Sequence, residues 1–346
     1  MRQPVHVLYG GAHLFRAGLS RKIGRIALAA LDVAPAELGD EDVLERVRAK
    51  LEREPVEDYR IDFEDGYGVR SDEEEDAAAE AAGRELAQGD NPPGSLPPFL
   101  GIRIKPLRKE GSEEQRGYRT LNLFLDAAGA LPPGFVVTLP KVEGPGEIER
   151  FRETFPSLAI EVMVETPQAL AAIDAILDAA AGPLQAVHFG PYDFLSSCGV
   201  PGPAQRLGHP LCDHARLTLV PKLAAAGIRF ADGPTSFLPI GSPEDVAQAR
   251  RLHQANILHA VECGIFQGWD LHPAQLPVRY ATLYKFFREH APAQRKRLEN
   301  YRESLAQATR VGAAFDDAAT VRGLEVFFDR ARDCGALPEE ELPAIE

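Results

Sequence analysis

"AIEVMVETPQALAAIDAILDAAAGPLQAVHFGPYDF", residues 159–194, holds one strand–helix–strand unit, and its reading decides the fold. The apolar runs "AIEVMVE" and "AVHFGPYD" read as strands. Between them, Thr166 and Pro167 supply an N-cap and a first-turn proline for the helix "PQALAAIDAILDAAA". The alternation continues in both directions. Further strands read at "HVLYGG", "YRIDFED", "FLGIRIK", "FVVTLPKV", "IRFADGP" and "GIFQGWDLH". Ser71 and Glu74 form a capping box at the head of "SDEEEDAAAEAAGRELA", and Ser242, Pro243 and Asp245 repeat the start signal before "EDVAQARRLHQANILHAV". Val43, Val47 and Leu51 make the apolar stripe of an earlier helix. Alternating strands and helices imply parallel strands joined by right-handed crossovers. Eight such units favour a closed (β/α)8 barrel, with a doubly wound open sheet as the runner-up. The barrel is expected over residues 1–275, and a C-terminal helical extension, acting as lid or oligomer contact, over 276–346.

The chain has 346 residues, 45% of them apolar, enough for a large core. Lys and Arg total 38 against 52 Asp and Glu, a net charge of −14, which opposes nucleic acid and anionic membranes as partners. Cys198, Cys212, Cys263 and Cys334 show neither disulfide nor metal-ligand spacing and read as reduced thiols. No apolar run approaches a membrane span, and "MRQPVHVLYGG" carries no signal-peptide pattern, so a cytoplasmic location is expected.

Active sites of such barrels sit at the C-terminal ends of the strands. Charged residues stand there repeatedly: Asp62, Glu64 and Asp65 after strand two, Arg103 and Lys105 in strand three, and Lys141 and Glu143 after strand four. Glu165, Asp193 and Asp232 end strands five, six and seven, and Asp270 and His272 end strand eight. Alternating apolar and acidic residues in "YRIDFEDGYG" would also fit a strand with one wet face. Glu165 and Asp193 end consecutive strands, so either their carboxylates converge on one ion, a set that Mg²⁺ accepts with water and substrate filling the rest, or each caps its following helix. Arg103 in the apolar "GIRIK" needs an anion, either Asp62 or Glu64 or a substrate carboxylate held bidentately. Lys141 would hold substrate charge or pair with Glu143. Gly190 and Pro191 form a tight loop that is either a simple turn or one whose backbone N–H groups bind a carboxylate. Asp232 joins these as a candidate substrate-binding residue.

At these residues the chain resembles the citrate lyase beta-subunit-like family, within the HpcH/HpaI aldolase group. The motifs are "IDFEDGYG", "IRIK", "LPKVEG", "VETPQAL", "FGPYDF", "ADGP" and "GIFQGWDLHPAQ", in family order over residues 59 to 275. The resemblance implies a (β/α)8 barrel assembled as a trimer or hexamer, and reactions that make or break C–C bonds beside a carbonyl. It implies Mg²⁺, with Mn²⁺ as a substitute, on Glu165 and Asp193, and substrate oxygens on Arg103. Asp65 and "DLHPAQ" favour the citrate lyase-like branch over hydroxy-keto-acid aldolases, which carry a histidine at the position of Asp65. "GPYDF" stands closer to the aldolases. Trp269 replaces a lysine of the lyase branch, and "LYGGAHLFRAGLSRKIG" departs from the opening of acyl-CoA-binding members. Asp316 or Asp317 would be the C-terminal aspartate that reaches a neighbouring subunit's site, or a helix cap.

The expected function is a Mg²⁺-dependent C–C lyase or aldolase working through a metal-stabilised enolate of a small carboxylate, 2-keto acid or acyl-CoA. Arg103 would neutralise charge, and Glu64 or Asp65 or a metal-bound water would move the proton. The alternatives are an enzyme using phosphoenolpyruvate or pyruvate, and a non-catalytic metabolite-binding barrel.

Overall fold

The computed structural model describes residues 2–90, 93–108, 113–307 and 318–343. In chain order its main elements are β1 His6–Gly11, α1 Leu19–Leu31, α2 Glu41–Arg53, β2 Asp58–Asp62, α3 Asp72–Ala87, β3 Phe99–Arg103 and α4 Glu113–Ala128. They continue with β4 Val136–Leu139, α5 Pro145–Thr154, β5 Ala159–Val164, α6 Pro167–Ala171, α7 Ile173–Ala179, β6 Leu184–Phe189, α8 Pro191–Ser197 and α9 Pro210–Ala226. The last are β7 Arg229–Asp232, α10 Pro243–Glu262, β8 Gln267–Asp270, α11 Leu276–Gln307 and α12 Ala318–Cys334. Every strand pairs parallel with its sequence neighbour, and His6 opposite Gly268 closes β1 onto β8. The fold is the (β/α)8 barrel, followed by the long helices of the C-terminal region. The open-sheet runner-up is excluded by that closing pair.

The helix starts read from sequence are present as hydrogen bonds. Ser71 and Glu74 cap one another's backbone, and so do Ser242 and Asp245. The Thr166 hydroxyl accepts from Ala169 N at 3.1 Å. Val43, Val47 and Leu51 are buried along α2. One expected helix is divided: Ala172, at φ −93° and ψ 9°, interrupts the segment after Thr166. The buried stripe Ala169, Leu170, Ile173 and Ile176 continues across the break, so periodicity does not reveal it. The first half of α11 buries Val278, Tyr280, Leu283, Tyr284 and Phe287, and the helix packs against α1, α2 and α10. The four cysteines are free thiols. Among the described residues no helix is long and apolar enough to cross a membrane.

β2 corrects the wet-face reading of its alternation. Tyr59, Ile61 and Phe63 are buried in the hydrophobic core, while Asp58, Arg60 and Asp62 are buried too and make their contacts inside the barrel. Arg60 spans the lumen to β5, donating to Glu161 through Nε at 2.8 Å and Nη2 at 2.5 Å, and to Asp58 through Nη2 at 3.2 Å. Thr138 and Gln267 complete the layer, at 3.2 Å from Arg60 and 3.0 Å from Asp58. Barrel interiors of this kind are usually filled by branched apolar side chains. Here an ion network fills one layer, and both faces of β2 are dry.

Candidate active site

At the C-terminal ends of the strands a cavity of about 410 Å³ opens between the β1, β2, β3, β5, β6, β7 and β8 ends. Its lining includes Tyr9, Asp65, Arg103, Glu165, Asp193 and Trp269. A larger cavity of about 740 Å³ lies at the opposite end, among Leu86, Leu96, Leu100 and Leu131. Its acids are committed: Glu54 pairs with Arg2 and Lys50, and Asp90 accepts from Gly94, Ser95 and Leu96. The first cavity lies at the strand ends, where such barrels place their active sites, and is lined by the buried Arg103 and Glu165, so we take it as the candidate site.

Arg103, the last residue of β3, is fully buried. Asp62 takes its Nε at 2.6 Å and its Nη2 at 2.5 Å, a bidentate pair. The remaining nitrogen, Nη1, lies 3.1 Å from Glu64 and 3.8 Å from Asp65. Asp62 also accepts from Glu64 N at 2.9 Å and Gly66 N at 2.7 Å, which folds "DFEDG" into a tight turn. Only glycine fits at 66, since a Cβ there would stand 2.5 Å from Asp62 Oδ2. Lys141 pairs with Glu64, and its Nζ is 3.3 Å from Asp65. Burial pushes the Glu64 carboxyl up. Burial acts the same way on Asp65, but Glu64, Arg103 and Lys141 outweigh it and hold Asp65 low. One of the two acids thus keeps a proton more readily than its neighbour.

Glu165 is buried at the end of β5 and accepts from Lys141 N at 3.1 Å. Lys141 makes that bond with φ 52°, the left-handed region a side chain rarely adopts. Among the described residues no basic side chain comes within ion-pair distance of Glu165. Burial raises its carboxyl to about 8; Arg103 opposes that rise, and Glu64 and Asp193 add to it. A buried carboxylate without a counter-ion asks for a cation. Asp193, in the first turn of α8, is exposed and lines the same cavity. No cluster of three or more His, Cys, Asp or Glu is arranged for a metal among the described residues. Two carboxylates still fit Mg²⁺, which keeps waters and substrate oxygens in its other positions.

Other expected residues do not converge here. Asp232 is bound by Arg216, with Nε 3.1 Å from both oxygens, and does not line the cavity. Gly190 and Pro191 do line it, but Gly190 N donates to Val164 O at 3.0 Å and Pro191 has no N–H, so their backbone offers no anion site. Gly190 serves space instead: a Cβ there would collide with Cγ of Glu165. Asp270 pairs with Arg279 and His253, His272 caps its own turn, and Glu143 pairs with Arg108 rather than Lys141. Lys105 donates to Phe63 O at 2.9 Å. Asp316 and Asp317 lie outside the described residues. Sequence reasoning missed Tyr9 and His188. In a strand, an aromatic or a histidine carries no mark of facing a site.

The model of the family described as a domain of unknown function, DUF6986, matches residues 1–346. The chain belongs to that family. No curated protein matches it. Among solved structures it is similar to a citrate lyase of Burkholderia xenovorans LB400, at 21% identity and a TM-score of 0.62, covering 98% of this chain and 95% of that one. It is similar also to the protein CitE of Mycobacterium tuberculosis in complex with magnesium, acetoacetate and coenzyme A, at 20% identity and a TM-score of 0.58, covering 97% and 99%. The same protein with magnesium and pyruvate gives 18% identity and a TM-score of 0.54, covering 94% and 98%. Likeness at this level is likeness of fold.

Proposed function

We propose that the chain is a Mg²⁺-dependent carbon–carbon lyase or aldolase that acts beside a carbonyl of a small carboxylate or its CoA thioester. The observation that carries this reading is Glu165, a buried carboxylate with no basic side chain at ion-pair distance among the described residues, sharing a cavity with Asp193 and Arg103. The motif resemblance to citrate lyase beta-like proteins supports it, as do fold neighbours solved with magnesium and small carboxylates. In this reading Glu165 and Asp193 hold the ion, which when bound supplies Lewis-acid stabilisation of charge on a substrate oxygen. Arg103 offers Nη1 to a substrate carboxylate, because Asp62 already occupies its other edge. The adjacent acids Glu64 and Asp65 move the proton, one holding it and the other ionised. Tyr9 and Trp269 wall the cavity and keep water off Arg103.

Calorimetry with Mg²⁺ and Mn²⁺ tests the metal. Wild type is expected to bind, and Glu165→Gln with Asp193→Asn is expected not to; binding that survives the double change sinks the assignment. Proton NMR of reaction mixtures holding Mg²⁺ with 2-oxo acids or hydroxyacyl-CoA thioesters tests the chemistry, and absence of any C–C cleavage or formation across the panel would return the chain to a binding role. Once a turnover assay exists, Glu64→Gln and Asp65→Asn should each lose at least about tenfold in kcat/KM, about 1.4 kcal/mol. Asp65→Asn should leave the melting temperature within about 1 °C, since that side chain is more than half exposed. Full activity in both variants would make these acids purely structural.

A further inference from the structure

We infer that Tyr9 and Trp269 form an aromatic shelf that fixes the tilt of Arg103 over the cavity, and that His188 pins this shelf from within the barrel. The inference rests on the proposed role of Arg103 and adds positioning residues to it. Two parallel hydrogen bonds to Asp62 define an axis, and a guanidinium can rock about such an axis. A ring against its face removes that freedom. The Arg103 guanidinium carbon lies 4.7 Å from the ring centre of Tyr9 and 5.5 Å from that of Trp269, cation–π distances. The two rings support each other, 4.4 Å apart. The shelf is anchored in turn: the Tyr9 hydroxyl is 2.6 Å from Nδ1 of the buried His188.

The direction of that anchor follows from its surroundings. The other ring nitrogen of His188, Nε2, lies 3.6 Å from Glu161, which Arg60 keeps ionised. That carboxylate favours the proton on Nε2, leaving Nδ1 as acceptor and Tyr9 as donor. Burial keeps the imidazole neutral and the phenol protonated. Neither group reaches the cavity with its polar atom free, so both are positioning residues. They link the lumen network below to the guanidinium of Arg103 above.

Two measurements test this. The first is a double-mutant cycle of unfolding on wild type, Tyr9→Leu, Arg103→Met and the double variant, which reads the contact whatever the protein catalyses. The second is calorimetric binding of pyruvate and of oxaloacetate with Mg²⁺ present, and of Mg²⁺ alone. Tyr9→Leu should weaken the carboxylate probes about tenfold and leave Mg²⁺ affinity unchanged. Tyr9→Phe, which keeps the ring, should recover most of that loss, and His188→Gln should behave like Tyr9→Phe. In an Arg103→Lys background Tyr9→Leu should add little. Trp269 is the chain's single tryptophan, so its fluorescence follows the same titrations at the shelf itself. An unfolding cycle without coupling overturns the inference, as does full probe affinity in Tyr9→Leu when Arg103→Lys has lost it. If wild type binds neither Mg²⁺ nor the probes, the proposed function falls, and the unfolding cycle alone decides whether the shelf holds Arg103.

Discussion

Glu165→Gln should make the metal-free protein more stable at high pH while removing its affinity for Mg²⁺. The folded carboxyl titrates near 8 and the unfolded one near 4.5, so the fold binds the extra proton. A raised carboxyl favours the folded state below its unfolded pKa, and that advantage drains away as pH rises through the folded value. Fully ionised, it costs the fold several kcal/mol, from about 1.4 kcal/mol per unit. Wild type and variant should therefore melt together near pH 5 and separate as pH approaches 9, with the glutamine form ahead by several kcal/mol. Saturating Mg²⁺ should reverse the order at pH 8, since ligand held only by the folded state adds stability by mass action. Melting curves at pH 5, 7 and 9, with and without Mg²⁺, make the comparison. A difference in melting temperature that does not change with pH would show that Glu165 is solvated. The proposed site thus trades stability for a place where a cation binds.

Arg60→Met is the second large effect. It leaves Asp58 and Glu161 buried in the lumen with their cation gone, and breaking a buried pair in this way costs about 3–5 kcal/mol. Burial alone would raise Glu161, but Arg60 outweighs it and holds the carboxyl down at about 2. A lowered carboxyl stabilises the fold above its unfolded pKa, and that stability is lost as pH falls through the folded value. The penalty of Arg60→Met should therefore be largest at pH 7 and shrink toward pH 4, where the stranded Glu161 takes up a proton. Replacing the network as a whole, by Asp58→Leu, Arg60→Met and Glu161→Leu, should recover more than half of the loss, since apolar residues of similar volume often substitute for buried ions. Chemical denaturation at pH 7 and pH 4 is the measurement. A single-variant loss below about 1 kcal/mol would mean that water reaches the lumen.

Strand number, order and helix starts were legible because their causes lie within a few residues of one another. A cap such as Thr166 or Ser242 acts on a backbone group three residues on, and a strand–helix alternation carries its own handedness. Arg103, Glu165 and Asp193 were legible as strand-end charges in an apolar context, and the cavity does collect them. Asp232 had the same appearance, yet Arg216 on α9 claims both of its oxygens. Asp270 was likewise claimed by Arg279 and His253. Nothing local separates these acids from Glu165; the difference is whether a cation stands within reach in space.

From its order of residues alone, this chain settles that it forms eight strand–helix units with charged strand ends, because periodicity and capping are short-range forces. Barrel closure decides the rest. It turns the alternation of β2 inward, so that a pattern suited to a wet face becomes an ion network reaching from Arg60 to Glu161 on β5. It also lays Tyr9 and Trp269 against Arg103, and leaves Glu165 buried with, among the described residues, no basic side chain at ion-pair distance. Alternation along a strand states only that its two faces differ; which face is dry, and which charges find partners there, depends on distances that exist once the ends of the sheet meet.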